Sequence, residues 1–375
     1  MSSAGLKSAV LLAFFLAASP SLPAQPLPPA ETIFVIMMEN TTWPDIKDSP
    51  NAPFINNTLL PIAAHCEFYN NLPDIHPSLP NYLWLEAGTN FGILDDAEPA
   101  DNHQNTTNHL VSLLHRAGIS WRAYQENISG TALPLETCCG YSARHNPFIY
   151  FDDVTGTNDP NCPYGLAHIR PYSELEADLA NNTVARYNFI IPCDCNDMHT
   201  ACPPLYNPIL QGDLWLSNQV PKILNSRAYS NGGLLFIAWD ETDSVETRIP
   251  LIAMSPWVRT GGYSNTNYYD HSSLLRTLQE IFGVMPLLGS AANATNLGDL
   301  FTPFGFTRIE KLPAGATRLT LGGLKPGRTV VLEASADLTT WDPIHTNVVA
   351  DYSMIFTDNA APNFNRRFYR FAEQR

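Results

Sequence analysis

Basic residues are scarce in this chain: 21 lysines and arginines face 36 aspartates and glutamates across 375 residues, for a formal charge of −15. The deficit argues against nucleic acid as a partner, because its phosphates need lysine and arginine contacts. It argues equally against adhesion to anionic lipid by charge. Long apolar runs are also missing. The run "AVLLAFFLAA" at residues 9–18 is too short to span a bilayer, and no later segment approaches that length, so stable membrane insertion is not expected. No internal repeat occurs, and low complexity is confined to a proline-rich junction near the start. An acidic chain can still bind an anionic phosphate if a metal cation inverts the local field.

What is present begins with an export signal. Lys7 precedes the apolar run, and "SPSLPAQPLPPA" follows it, so residues 1–24 read as a signal peptide and the mature protein as secreted or periplasmic. Seven cysteines (Cys66, Cys138, Cys139, Cys162, Cys193, Cys195 and Cys202) suit an oxidising compartment, and their odd number leaves one thiol over. In "CDCNDMHTAC" four potential zinc ligands, Cys193, Cys195, His199 and Cys202, lie close together. The Cys-x-Cys spacing is poor for a zinc knuckle, and export favours disulfides.

Continuous apolar runs, "TIFVIMM", "YNFII", "LLFIAW" and "IPLIAM", suit strands buried on both faces of a sheet. Helical patterns separate them: "TNHLVSLLHRAG", "ELEADLANN", "LWLSNQVPKILNS" and "HSSLLRTLQEIFG". The alternation predicts an α/β sandwich with a largely parallel central sheet over residues 25–305. Beyond it, short β-like runs punctuated by "GGLKPG" and "NAAPN" predict a small C-terminal β-sandwich at residues 306–375.

The chemistry lies at the strand ends. "TIFVIMM" ends in Glu39-Asn40 and "LLFIAW" in Asp240-Glu241. Parallel strands put both pairs on one rim, where α/β sheets collect ligands. Either pair alone is explained by capping of the next turn. Together they crowd carboxylates that a cation would relieve, and an all-oxygen set suits a hard divalent ion such as Mg, Ca or Mn. Ser78, between Pro77 and Pro80 in "DIHPSLPNYLWLEAG", stands at the start of a helical pattern. It is either an ordinary N-cap or a nucleophile whose phosphate substrate uses the helix N-terminus. His145, His199 and His271 are candidates to hold phosphate oxygens or protonate a leaving alcohol. His76 is read as a buttress of the serine loop, and "GDLW" at residues 212–215 as a helix start and core anchor without chemistry.

In order, "MMEN", "HPSLPNYL", "RHNPFIYFDD", "CNDMH", "GDLW", "WDE" and "YDHSSLLRTLQ" resemble the phosphoesterase family of bacterial phospholipases C and acid phosphatases. The resemblance covers about residues 31–301. It implies an alkaline-phosphatase-like α/β fold and a divalent metal held by Glu39, Asn40, Asp240, Glu241 and Ser78. Ser78 matches the nucleophile that is phosphorylated and then hydrolysed, and His145, His199 and His271 match phosphate-contacting positions. A serine rather than a threonine nucleophile points to a phosphomonoesterase. The alternatives are a phospholipase C-type diesterase, with Trp43, Tyr82 and Tyr141 as possible choline-facing aromatics, and a non-catalytic surface-binding protein. The expected substrate is a small phosphate ester or a phospholipid headgroup.

Overall fold

The structure, a computed structural model, describes residues 27–242, 244–259 and 261–374; the signal peptide expected at residues 1–24 lies outside them. Eight strands form the central sheet: β1 (Thr32–Met38), β2 (Ala64–Cys66), β3 (Trp121–Gln125), β4 (Ile169–Pro171), β5 (Tyr187–Ile191), β6 (Gly233–Trp239), β7 (Leu251–Met254) and β8 (Ser264–Asn265). Their order is β4-β3-β5-β1-β6-β7-β2-β8. Strands β4 through β6 are mutually parallel, and β7 alone runs against its neighbours β6 and β2.

The two most apolar strands occupy the middle. Every residue of β6 is buried, and so is all of β1 after Thr32. Such strands have no solvent face and must be covered on both sides, which is why helices flank the sheet. Each fully buried Phe, Ile or Leu contributes about 1.5–3 kcal/mol, so the central pair is also the most stable place to mount a site. The α/β sandwich is thus present as expected. "IPLIAM" is a strand, but an antiparallel one.

Three helices matter below. The Ser78 helix (Ser78–Ala87) is buried almost throughout. Its far end is fixed by Glu86, which accepts from Val111 N–H at 2.7 Å and meets the ring of buried His109 at 3.2 Å. The His271 helix (His271–Phe282) starts in a capping box, Asp270 accepting from Ser272 and Ser273 while Ser273 closes back. Trp84 Nε1–H donates to Ser272 Oγ at 2.8 Å and ties these two helices together. The third helix, Pro208–Leu224, begins earlier than its periodicity implies, so "GDLW" lies one turn inside it.

Downstream, β9 (Gly305–Lys311), β10 (Thr317–Gly322), β11 (Thr329–Ser335), β12 (Asp342–Val348), β13 (Met354–Asp358) and β14 (Phe368–Gln374) form two antiparallel three-stranded sheets, β13-β10-β9 and β12-β11-β14. Leu319, Leu321, Val330 and Leu332 pack between them in an apolar cluster of their own. These sheets meet the rest of the chain at the amino ends of the central strands. Trp257 Nε1–H donates to Leu324 O at 3.0 Å, Tyr352 O–H donates to Ser230 O at 3.2 Å, and Lys325 pairs with Glu31.

Cysteine pairing differs from expectation. Cys138–Cys139 and Cys195–Cys202 are disulfides, whereas Cys66, Cys162 and Cys193 are free, so three thiols rather than one are left over. Cys66 is fully buried in β2, where oxidation has no partner to reach. Among the described residues no helix is long and apolar enough to cross a membrane.

Just after β2, Glu67 accepts from Trp43 Nε1–H at 2.8 Å and from Lys47 at 2.6 Å, bracing the turn that follows Asn40. Burial alone would raise its carboxyl, but Lys47 and Trp43 outweigh that and hold it at about 2, below its ordinary 4.5. The charged form is therefore favoured in the folded state. Its contribution is complete above about pH 4.5 and is lost as the pH falls toward 2. Glu67→Gln should lower the melting temperature near neutrality, and the deficit against wild type should shrink steadily across that acid window.

Candidate active site

Register brings the two acidic pairs together. Met38 of β1 lies beside Trp239 of β6, so Glu39 and Asp240 leave the sheet side by side, and Asp240 N–H donates to Met38 O at 3.1 Å. Glu39, Asp240 and Glu241 are each at most 1% exposed. Asn40 follows at the rim, half-buried. Neither oxygen of Asp240 has a hydrogen-bond donor among the described residues.

Ser78 is not an ordinary N-cap. It is the first residue of its helix, not the cap, and its hydroxyl does not return to its own backbone. Ser78 Oγ lies 3.2 Å from Glu39 Oε2 and 3.4 Å from Glu241 Oε1. The helix end is instead served by Asp96, whose Oδ1 accepts from Leu79 N–H at 3.0 Å. That N–H is therefore not open to a substrate.

The surrounding groups hold the carboxylates in place. Tyr82 O–H donates to Glu39 Oε1 at 2.6 Å, and Asn81 Nδ2 donates to Glu241 Oε2 at 3.3 Å. His76 Nδ1 approaches the same Glu241 oxygen at 2.5 Å, so this histidine joins the site rather than only bracing its loop. His145 is buried, stacked on Tyr82 with ring centroids 5.3 Å apart, and its Nε2 lies 3.1 Å from Glu39 Oε1. Tyr82, Trp43 and Tyr141 are all buried, which leaves no aromatic face among them for a choline group.

Two histidines sit differently from one another. His271 is enclosed, with Nδ1 bonded to Tyr69 O–H at 2.8 Å and Nε2 against Asp240 O, so its ring clamps the Asp240 backbone. His199 is exposed on the loop closed by Cys195–Cys202. Its backbone N–H, rather than its ring, reaches inward, donating to Asp197 Oδ1 at 2.9 Å.

Asp197 is the residue that sequence reasoning missed. It is 1% exposed, its carbonyl accepts from Glu39 N–H at 2.8 Å, and its Oδ2 lies 3.9 Å from His145 Nδ1 without a donor of its own. Its signal lies in "CNDMH", two residues before His199. Atoms of His145, Asp194 and Asp197 lie within 4.8 Å of one another, a spacing able to hold a metal ion. The Glu39–Asp240–Glu241 set is less tightly drawn than this trio.

Electrostatics follow from the crowding. Two like charges about 4 Å apart near a protein surface repel by about 4 kcal/mol, more than a hydrogen bond returns. Burial, with Glu241 adding to it and Tyr82 opposing it, pushes the Glu39 carboxyl up to about 8. Burial and then Glu39 push Asp240 and Asp197 well up. Burial holds His145 well below its ordinary value and lowers His271 to about 4, so both rings are neutral at neutral pH.

"GDLW" holds this assembly from outside. A Cβ on Gly212 would come within 2.2 Å of Met198 Cγ. Asp213 accepts from Phe54 and Ile55 N–H groups, each at 2.9 Å, and Trp215 Nε1–H donates to Glu126 at 2.8 Å. Glu126 in turn accepts from Cys193 N–H and Asn196, both at 2.8 Å.

The chain belongs to the phosphoesterase family: the family's model matches residues 51–285. Among curated relatives, the phosphatidylinositol-3-phosphatase of Mycobacterium tuberculosis is 30% identical over 79% of this chain and 92% of its own length. The probable acid phosphatase of Kluyveromyces lactis is 26% identical over 70% of this chain and 63% of its own. The non-hemolytic phospholipase C of Pseudomonas aeruginosa is 25% identical over 67% of this chain, which spans only 41% of that enzyme. The protein is accordingly a hydrolase of phosphoric ester bonds.

Gly212→Ala should displace Met198 and with it the Asp197 loop. Hydrolysis of an aryl phosphate should fall by about tenfold or more through misplacement of the site, while the melting temperature changes by only a few degrees. An unaltered rate would show that the loop is not positioned from this helix.

Proposed function

We propose that the protein is an exported, metal-dependent phosphomonoesterase that works through a phosphoserine at Ser78. The observation that carries this reading is the approach of Ser78 Oγ to the buried Glu39 and Glu241 carboxylates, beside an Asp240 whose two oxygens lack donors. Unsatisfied buried carboxylate oxygens are costly, and a cation is the group that removes the cost. A divalent ion bound by Glu39, Asp240 and Glu241, with Asn40 and Ser78 completing the set, supplies a Lewis acid that lowers the hydroxyl pKa; Mg, Ca and Mn suit such oxygen donors. The His145–Asp194–Asp197 trio is the rival place for it; it is more tightly drawn but does not touch Ser78, and Asp194 also accepts from Ser142 Oγ at 2.9 Å.

The chain's own residues account for the rest. Ser78 gives its proton to Glu241, whose Oε1 already accepts from its hydroxyl at 3.4 Å. Its Oγ–P bond forms as the P–O bond to the alcohol breaks. His199, whose ring is exposed on the rim loop, delivers a proton to the departing alcohol after turning inward, while neutral His145 contacts a phosphoryl oxygen. His271 positions Asp240 and takes no proton. Water then splits the phosphoserine, returning the hydroxyl and releasing phosphate. A phosphodiester such as a phospholipid headgroup linkage is the second reading, carried by the phospholipase relative.

Residues 1–24 and the disulfides support export. Residues 306–375, with their own apolar cluster, are proposed as an accessory module.

Ser78→Ala should retain the fold and lose about 10⁴-fold or more in turnover of an aryl phosphate; substantial residual activity would refute the nucleophile. Asp240→Asn should abolish calorimetric binding of Mg or Mn, whereas Asp194→Asn should preserve it. The reverse pattern would move the cation to the trio.

A further inference from the structure

The amino end of the Ser78 helix carries a carboxylate where an anionic substrate needs a positive partner, because Asp96 already holds Leu79 N–H. A phosphoryl group arriving at Ser78 therefore meets Glu39, Glu241 and Asp96 together. The divalent ion proposed above offsets Glu39 and Glu241 but not Asp96, and basic residues of the chain that could offset it are few.

Arg144 is in position. It sits on the short turn Ala143–His145, next to the histidine that points at Glu39. Its Nε lies 3.4 Å from Asp96 Oδ2, and the two side chains are 28% and 31% exposed, which puts the pair at the mouth of the site rather than in the core. Through Asp96, which holds the N–H next to Ser78, and through its neighbour His145, which lies 3.1 Å from Glu39, Arg144 is tied to both sides of the Ser78 hydroxyl. Its contact with Asp96 is long and single, since the other Asp96 oxygen is spent on Leu79. A guanidinium offers five N–H donors in a planar fork, so it can turn from one carboxylate oxygen to two phosphoryl oxygens.

We propose that Arg144 determines specificity for phosphate monoesters by binding two non-bridging oxygens of the dianionic phosphoryl group, with Asp96 holding the guanidinium ready between turnovers. The proposal builds on the phosphoesterase reading of Ser78. A diester has esterified one of the oxygens that a monoester presents, and it carries one negative charge fewer. In a pocket lined by carboxylates, the monoester is the substrate that suffers when the guanidinium is removed.

The test compares an aryl phosphate monoester with the corresponding bis-aryl diester, using mature full-length protein with a divalent metal supplied. Arg144→Gln should lower kcat/KM for the monoester by about 10²-fold, as removal of one preorganised phosphate donor does, and affect the diester at least tenfold less. Inhibition by inorganic phosphate should weaken in parallel. Arg144→Lys should recover part of the monoester rate, because it restores the charge but not the fork. Asp96→Asn keeps an acceptor for Leu79 N–H and frees the guanidinium, so inorganic phosphate should bind more tightly. Equal losses on both esters with unchanged phosphate inhibition would overturn the proposal. Should the wild type hydrolyse neither ester, the reading of Ser78 fails on its own. Calorimetric titration with inorganic phosphate then decides: binding lost in Arg144→Gln supports the role of Arg144, and equal binding ends it.

Discussion

Everything in this molecule's working end depends on a repulsion. Glu39 and Asp240 emerge from the carboxyl ends of adjacent parallel strands, with Glu241 next in line, and all are buried. The register of two highly apolar strands leaves them no choice of position. Such a cluster persists only if the rest of the chain supplies donors or a cation, and the donors account for just part of it. Tyr82 and Asn81 come from one helix, whose first residue is Ser78, so the groups that tolerate the carboxylates also deliver the hydroxyl.

This coupling explains why the Ser78 helix is so heavily anchored. Trp84 ties it to the helix beginning at His271, whose ring in turn holds the Asp240 carbonyl. Glu86 fastens the far end through His109 and Val111. A shift of the helix along its axis would therefore disturb both members of the central acidic pair at once. The arrangement favours a rigid site in which the Ser78 hydroxyl and the acidic rim are set by the same contacts, the condition under which orientation contributes most to rate.

Much of this was legible in the sequence, for identifiable reasons. β1 and β6 are unbroken apolar runs, and their terminal acids stand out against them. β3, "WRAYQ", was invisible because Arg122 and Gln125 interrupt the pattern; Arg122 is accommodated by Asp178 at 2.5 Å. The short strands β2, β4 and β8 carry too few residues for any period to show. The placement of His199 and His271 was likewise out of reach, since ring orientation depends on partners such as Tyr69, distant in the chain. Asp96 lies 17 residues from the N–H it occupies, and no spacing rule links them. "GDLW" reads as a core anchor, and Trp215 is buried as such, but the steric part of its work shows only in the fold: a missing side chain at Gly212 leaves room for Met198.

The C-terminal sheets attach near Glu31, Ser230 and Trp257, at the pole where β1 and β6 begin. The acidic rim is at the other pole, roughly 25 Å away along an extended strand of this length. The two sets of contacts share no residue, so the C-terminal sheets can vary in sequence and surface without moving any group of the acidic rim.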